Sequence, residues 1–293
     1  MQNTYTVAVA GLGLIGGSLA LALLKNTDWR VIGIDLQPET VRLALRAGLS
    51  AAGLPEGKPV PDGLDTAADL LSAADLLILA LAPEPALAFL KQHAHLLRPG
   101  TVVTDVCGVK QWIVSVCAPI CAERGLSFIG GHPMAGKEHS GFSNADAELF
   151  RGASYILTPQ PETDPGALDV MKTLAAAVGC REVTVTTPAH HDRMIAFTSQ
   201  LPHVLAGAYV KSPVSLQHTG YSAGSYRDVS RVATVDERLW SQLFLLNRDY
   251  LLEEIDGLID NLSACRNAIA SEDREELEKI LREGRLRKEG IPD

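Results

Sequence analysis

The segment Gly11-Leu12-Gly13-Leu14-Ile15-Gly16 constrains this chain more than any other feature. It follows Thr6–Ala10 (TVAVA), which reads as a buried strand, and opens the Ala/Leu-rich run Leu14–Lys25, which reads as a helix. A strand entering a helix through GxGxxG is the start of a dinucleotide-binding βαβ unit. Gly11 makes the tight turn, Gly13 lets the backbone approach a pyrophosphate, and Gly16 lets helix pack closely on strand. The N–H groups at Leu14 and Ile15, with the positive end of the helix, face the phosphates. The next strand, Arg30–Asp35 (RVIGID), ends on Asp35, 19 residues after Gly16. That spacing suits a carboxylate gripping ribose hydroxyls. A carboxylate there repels a 2′-phosphate, and Leu36-Gln37 supply no arginine, so NAD is favoured over NADP.

Strand and helix patterns keep alternating. Helices are expected at Glu39–Ala47, Pro83–Leu97, Val109–Ala122 and Gly166–Val178, and strands at Leu76–Leu81, Thr101–Thr104, Leu126–Ile129, Ser154–Leu157 and Glu182–Val185. Gly53–Gly63 is rich in Pro and Gly and reads as loop. The loop Ala80–Pro83, with Ala82 in it, leaves a strand at its carboxyl end, where such sheets bind ligands. From Ala189 onward no convincing strand appears. His190–Val210 reads as a helix interrupted by Pro202, Glu237–Ile269 as one long helix, and Glu272–Lys288 as a charged terminal helix. The expected architecture is therefore α/β: a Rossmann-type, doubly wound, mostly parallel sheet over residues 1–187, then an all-helical domain over residues 188–293. Helices carrying one wide apolar stripe commonly bury it against a twin subunit, so a homodimer through the C-terminal helices is expected.

Composition narrows the partners. The 293 residues carry a net charge of −9, which argues against nucleic acid or anionic lipid. The longest apolar run, Leu76–Ala82, is far short of the ~20 residues a membrane helix needs. The cysteines, Cys107, Cys117, Cys121, Cys180 and Cys265, are odd in number and form no CxxC, so free thiols in a reducing cytoplasm and no metal site are expected.

Chemistry is expected at Gly130–Gly141, which reads GGHPMAGKEHSG. His132 follows a predicted strand at the carboxyl edge of the sheet, facing the cofactor side. An imidazole there can accept a proton from an alcohol while hydride leaves the same carbon.

Five segments in order, Gly11–Ser18, Asp105–Lys110, Gly130–Gly141, Ser199–His203 and Arg227–Ala233, make the chain resemble the prephenate dehydrogenase family, arogenate-using relatives included. The resemblance implies an NAD-binding domain followed by a helical dimerisation domain. It also implies oxidative decarboxylation of prephenate to 4-hydroxyphenylpyruvate in tyrosine biosynthesis. By position it puts the catalytic histidine at His132, a second, substrate-side histidine at His203, and the arginine pairing with a substrate carboxylate at Arg231. Ser199 falls on a polar contact, and His191-Asp192 on a pair near the subunit interface. Arg227 and Lys137 are further cations for a dicarboxylate substrate. One departure stands out. Gly108 occupies the slot where relatives often carry serine beside the reacting hydroxyl, next to the bound cofactor. Water, the Cys107 thiol or a backbone N–H is left to replace that hydroxyl. A β-hydroxyacid dehydrogenase is the alternative reaction on this domain order, but the lysine it would place on the interdomain helix is missing from Ile195–Gln200.

Overall fold

The computed structural model describes residues 4–55, 64–137 and 139–290. The first elements are β1 (Thr6–Ala10), α1 (Leu14–Asn26), β2 (Arg30–Ile34), α2 (Pro38–Arg46), β3 (Ala51–Leu54), β4 (Asp65–Thr66) and α3 (Ala67–Leu71). Next come β5 (Leu76–Leu79), α4 (Pro83–His93), β6 (Val102–Asp105), α5 (Gln111–Ala122), β7 (Ser127–Pro133), β8 (Ser154–Thr158), α6 (Pro165–Ala177) and β9 (Glu182–Val185). The remainder is helical: α7 (Pro188–Ile195), α8 (Leu201–Tyr209), α9 (Gly224–Ser230), α10 (Glu237–Leu246), α11 (Arg248–Ala270) and α12 (Arg274–Glu289).

The strands form one nine-stranded sheet among the described residues, in the order β4-β3-β2-β1-β5-β6-β7-β8-β9. Every neighbouring pair is parallel except β7 with β8. The chain runs outward from β1 to β4, then returns to the other side of β1 at β5. The carboxyl ends of β1 and β5 therefore flank a switch point, where a crevice opens in doubly wound sheets. Side chains alternate across the sheet, as the strand period requires. Ala8, Ala10, Leu77 and Leu79 pack toward α3, α4 and α5. Val7, Val9, Leu76 and Ile78 pack toward α1 and α6. Both faces are covered, which is why these strands read as continuous apolar runs.

Several sequence expectations are corrected. Gly53 lies in strand β3, paired with Ile34 of β2, rather than in a loop. A Cβ on Gly53 would come within 2.8 Å of the Asp65 carbonyl carbon, so the glycine marks close strand packing rather than a turn. Leu54 belongs to the same strand, and residues 56–63 of the expected loop lie outside the described residues. β7 continues past Ile129 through Pro133, because β8 offers Gly130–Pro133 an antiparallel partner. The stretch read as a long helix from Glu237 breaks at Asn247, whose φ of −115° and ψ of 25° leave the helical region. The interruption in the helix from His190 is a π-helical turn, Ala196–Gln200, just ahead of Pro202. Pro202 has no N–H to donate and its ring crowds the preceding turn, so the strain falls on that side.

Two compact units result. One comprises residues 1–195 with 234–246; the other comprises 196–233 with 247–293. In the second unit Asn247, at the start of α11, donates its side-chain amide to Gln200 Oε1 at 2.7 Å, and both side chains are buried. Asp273 caps α12 by accepting from the Glu276 N–H. No helix among the described residues is long and apolar enough to cross a membrane.

Candidate active site

At the β1–β5 crevice the backbone is built for close approach. Gly11 has a φ of +90°, and a Cβ there would lie 2.7 Å from Leu81 Cδ2. Gly16 has no room either: its Cβ would meet the Ala80 Cβ at 2.7 Å. The space beside Gly13, by contrast, is open to 4 Å. The N-terminus of α1, with Leu14 and Ile15 in its first turn, carries no side-chain cap, so an anion can take that role. Asp35 stands over the turn. Its Oδ2 accepts from the Leu12 N–H at 2.8 Å and its Oδ1 from the Gln37 N–H at 2.9 Å. Each oxygen keeps a lone pair for a ribose hydroxyl. Ala82 is the N-cap of α4 and borders a cavity of about 580 Å³ together with Glu84, Asp236 and Leu245. The donors, the open space and the carboxylate fit a dinucleotide.

His132 sits within β7, opposite Ile156 of β8, and not in the loop after the strand as expected. Its Nδ1 lies 2.9 Å from His191 Nε2. His191 Nδ1 lies in turn 2.7 Å from Asp192 Oδ1. The Asp192 carboxylate also accepts from the Lys110 and Gln111 N–H groups, at 2.7 Å and 2.8 Å, at the start of α5. Donor roles follow by elimination. An ionised carboxylate only accepts, so His191 Nδ1 carries hydrogen. Burial pushes the His191 ring below its ordinary 6.5 despite Asp192, so its Nε2 is a bare acceptor. His132 Nδ1 must then donate, which leaves the lone pair on His132 Nε2. Burial, then His191, then Lys110 hold His132 well below 6.5 as well, so it is neutral at pH 7.

The turn after β6 carries a second buried network. Lys110 Nζ pairs with Asp105 Oδ2, and both side chains are fully buried. Asp105 also accepts from the Cys107 and Gly131 N–H groups. Cys107 directs its thiol to the Leu81 carbonyl at 3.4 Å, and burial raises its pKa well above the ordinary range. The thiol is thus spent on the β5 loop and does not replace the family's hydroxyl. At Gly108, a Cβ would make only ordinary contacts with Leu243, the nearest at 3.5 Å.

In the helical unit, His203 Nδ1 lies 2.7 Å from the Val232 carbonyl. Half-burial lowers the His203 pKa, and Arg231 lowers it further against the pull of that hydrogen bond. Ser199 lies in the π-helical turn, and Arg227 in α9. Lys137 is ion-paired with Asp146 at 2.9 Å on the surface. Glu138 lies outside the described residues. Trp240 and Phe244 pack edge to face on α10, at 5.5 Å between ring centres.

Sequence reading missed the link from His191 and Asp192 to His132. The adjacent histidine and acid were visible, but no local pattern pairs them with a strand residue 59 positions away.

A nucleotide-binding α/β unit, followed in the chain by a helical unit, fits a nucleotide-dependent dehydrogenase. Residues 19–184 match the family model described as prephenate dehydrogenase, nucleotide-binding domain, and residues 187–283 match prephenate dehydrogenase, dimerization domain. The chain belongs to the prephenate dehydrogenase family, whose members are oxidoreductases. It is 32% identical to prephenate dehydrogenase of Bacillus subtilis (strain 168), over 99% of this chain and 77% of that one. It is 27% identical to prephenate dehydrogenase from A. aeolicus, whose structure is a complex with hydroxyphenyl propionate and NAD+, at a TM-score of 0.85 covering 99% of each chain. Synechocystis arogenate dehydrogenase is 28% identical, at a TM-score of 0.79, covering 98% of this chain and 100% of that one.

Proposed function

We propose that this protein oxidises prephenate with NAD and releases carbon dioxide, giving 4-hydroxyphenylpyruvate, with His132 as the proton acceptor. One observation carries the reading: the His132 Nδ1 position is taken by His191, which leaves the lone pair on Nε2. NAD, when bound, supplies the hydride acceptor. Gly11, Gly13, Leu14, Ile15 and Gly16 cradle its phosphates, Asp35 holds its ribose, and Ala82 and Gly108 border it. His132 Nε2 takes the hydroxyl proton as the ring carbinol becomes a ketone. The ketone is conjugated to the carbon bearing the carboxylate, so the carbon–carbon bond breaks and the ring becomes aromatic. Arg231 pairs with a substrate carboxylate, while His203, Ser199 and Arg227 hold the remaining polar groups. The family's dimerization domain and the exposed apolar residues of α11 support a homodimer. The odd cysteine count supports a reducing cytoplasm.

Nicotinamide absorbance, followed with prephenate or arogenate and with NAD or NADP, tests the reading. Turnover is expected with prephenate and NAD; reduction with neither substrate overturns it. The likeness to the Synechocystis enzyme favours arogenate as the second reading, and faster turnover with arogenate would select it. His132→Asn is expected to bind NAD normally and lose turnover by at least about 100-fold; preserved turnover removes His132 as base.

A further inference from the structure

We propose that His191 and Asp192 are the positioning residues of the proton acceptor: Asp192 fixes the His191 tautomer, and His191 fixes His132 with its lone pair on Nε2. The proposal rests on the reading of His132 as base, and it names what holds that base.

Two features separate this role from plain core packing. Docking α7 onto α5 needs only the Asp192 carboxylate, which accepts from the Lys110 and Gln111 N–H groups. The His191 ring takes no part in those two bonds. It instead spans the gap from Asp192 at 2.7 Å to His132 at 2.9 Å, and it is buried. The direction of the bonds is fixed at the Asp192 end, because both carboxylate oxygens already accept from backbone N–H groups at a helix start and His191 meets the same carboxylate as a donor.

The second feature is what the β6–α5 turn lacks. Gly108 has no side chain, and the Cys107 thiol is engaged with the Leu81 carbonyl, so neither orients His132. A free imidazole divides between two tautomers and rotates about χ2. Held through Nδ1, the ring of His132 has one orientation and one basic nitrogen. The acid in this arrangement never needs to take a proton; it orients the first ring, and that ring orients the second.

The test separates positioning from stability by reach. In His191→Gln the amide oxygen extends to about where Nε2 lies and still accepts from His132 Nδ1. In His191→Asn the side chain is too short to do so. His191→Asn is expected to lower kcat at least about tenfold with KM for NAD unchanged, and His191→Gln to restore most of the loss. Nitrogen-15 spectra of the unaltered protein are expected to show His132 protonated on Nδ1. An unchanged kcat in His191→Asn, equal losses in the two variants, or His132 protonated on Nε2 in the unaltered protein each overturn the proposal. The last measurement needs no variant to fold. Failure of the base reading is distinct: it requires His132→Asn to turn over. An inactive His132→Asn beside a fully active His191→Asn removes only the positioning role.

Discussion

His132 Nδ1 and His191 Nε2 meet at 2.9 Å, joining a strand and a helix that are 59 residues apart in the chain. Burial pushes both rings below the ordinary 6.5, and Lys110 pushes the same way. The other charged groups at this site are Asp105 and Asp192. A base works only when neutral, so kcat/KM is expected to be flat from neutral pH downward past 6.5 and to fall only in more acidic buffer. The sign for folding is the same. Below 6.5 the unfolded chain binds protons at these two positions that the folded chain refuses, so stability is present above 6.5 and lost as pH falls. A pH series of initial rates and thermal midpoints checks both; an acid limb centred at or above 6.5 would contradict the burial argument.

The parts of the fold that follow from local pattern were legible. GxGxxG after β1 and the spacing to Asp35 depend on neighbours along the chain, and they define the crevice from local sequence alone. The buried strands β1 and β5 declared themselves by largely apolar runs. What stayed hidden depends on distant partners. The strand was expected to end at Ile129, yet β8 extends it through Gly130-Gly131 to Pro133. Asn247 sits within a continuing apolar period, and only its bond to Gln200 shows why the helix stops there. His191 and Asp192 read as an isolated pair because their partner lies on another element. The missing serine at Gly108 was legible as a gap, but the contact of His132 with His191 was not.

Asp35 is expected to set cofactor choice. Its two oxygens are held by the Leu12 and Gln37 N–H groups, so the carboxylate is oriented before any ribose arrives. Asp35→Ala removes a charged hydrogen-bond acceptor and should weaken NAD about tenfold or more. Loss of the negative charge should also relax the discrimination against NADP. Initial rates with both cofactors measure the ratio; an unchanged ratio would disprove the ribose contact.

The buried Lys110–Asp105 pair should be sensitive to half-removal. Lys110→Met leaves the Asp105 carboxylate fully buried without its cation, though the Cys107 and Gly131 N–H groups still donate to it. Breaking such a pair costs about 3–5 kcal/mol. Adding Asp105→Asn to Lys110→Met removes the uncompensated charge and should recover part of the loss. Urea unfolding of the single and double variants gives the coupling; simple additivity would show the pair to be energetically inert.

Gly108→Ser should be tolerated and should change little. A Cβ there finds Leu243 at ordinary contact distances of 3.5 Å and 3.7 Å, and no positive φ stands in the way. Thermal stability should move by no more than about 0.5 kcal/mol. If His132 is already oriented through Nδ1, a hydroxyl at residue 108 adds little, and kcat should stay within about threefold, well below the weight of a full acid–base partner. A gain beyond tenfold, read from steady-state kinetics, would show that the Nδ1 bond leaves the base poorly placed.

The apolar stripe of α11 offers a test of assembly. Leu252, Ile259, Leu262 and Ile269 are 48%, 52%, 54% and 62% exposed. Their spacings of 7, 3 and 7 residues put them along one face of the helix. Four large apolar side chains in a row are more than a surface helix needs to show water, and the chain carries the family's dimerization domain over residues 187–283. Burying each one would contribute about 1.5–3 kcal/mol. Ile259→Asp with Leu262→Asp should therefore convert a dimer to a monomer in sedimentation velocity. The charged pair faces outward from α11, so the fold of each chain should survive and its circular dichroism should match the unaltered protein. A dimer that persists in the double variant would place the subunit contact on another face.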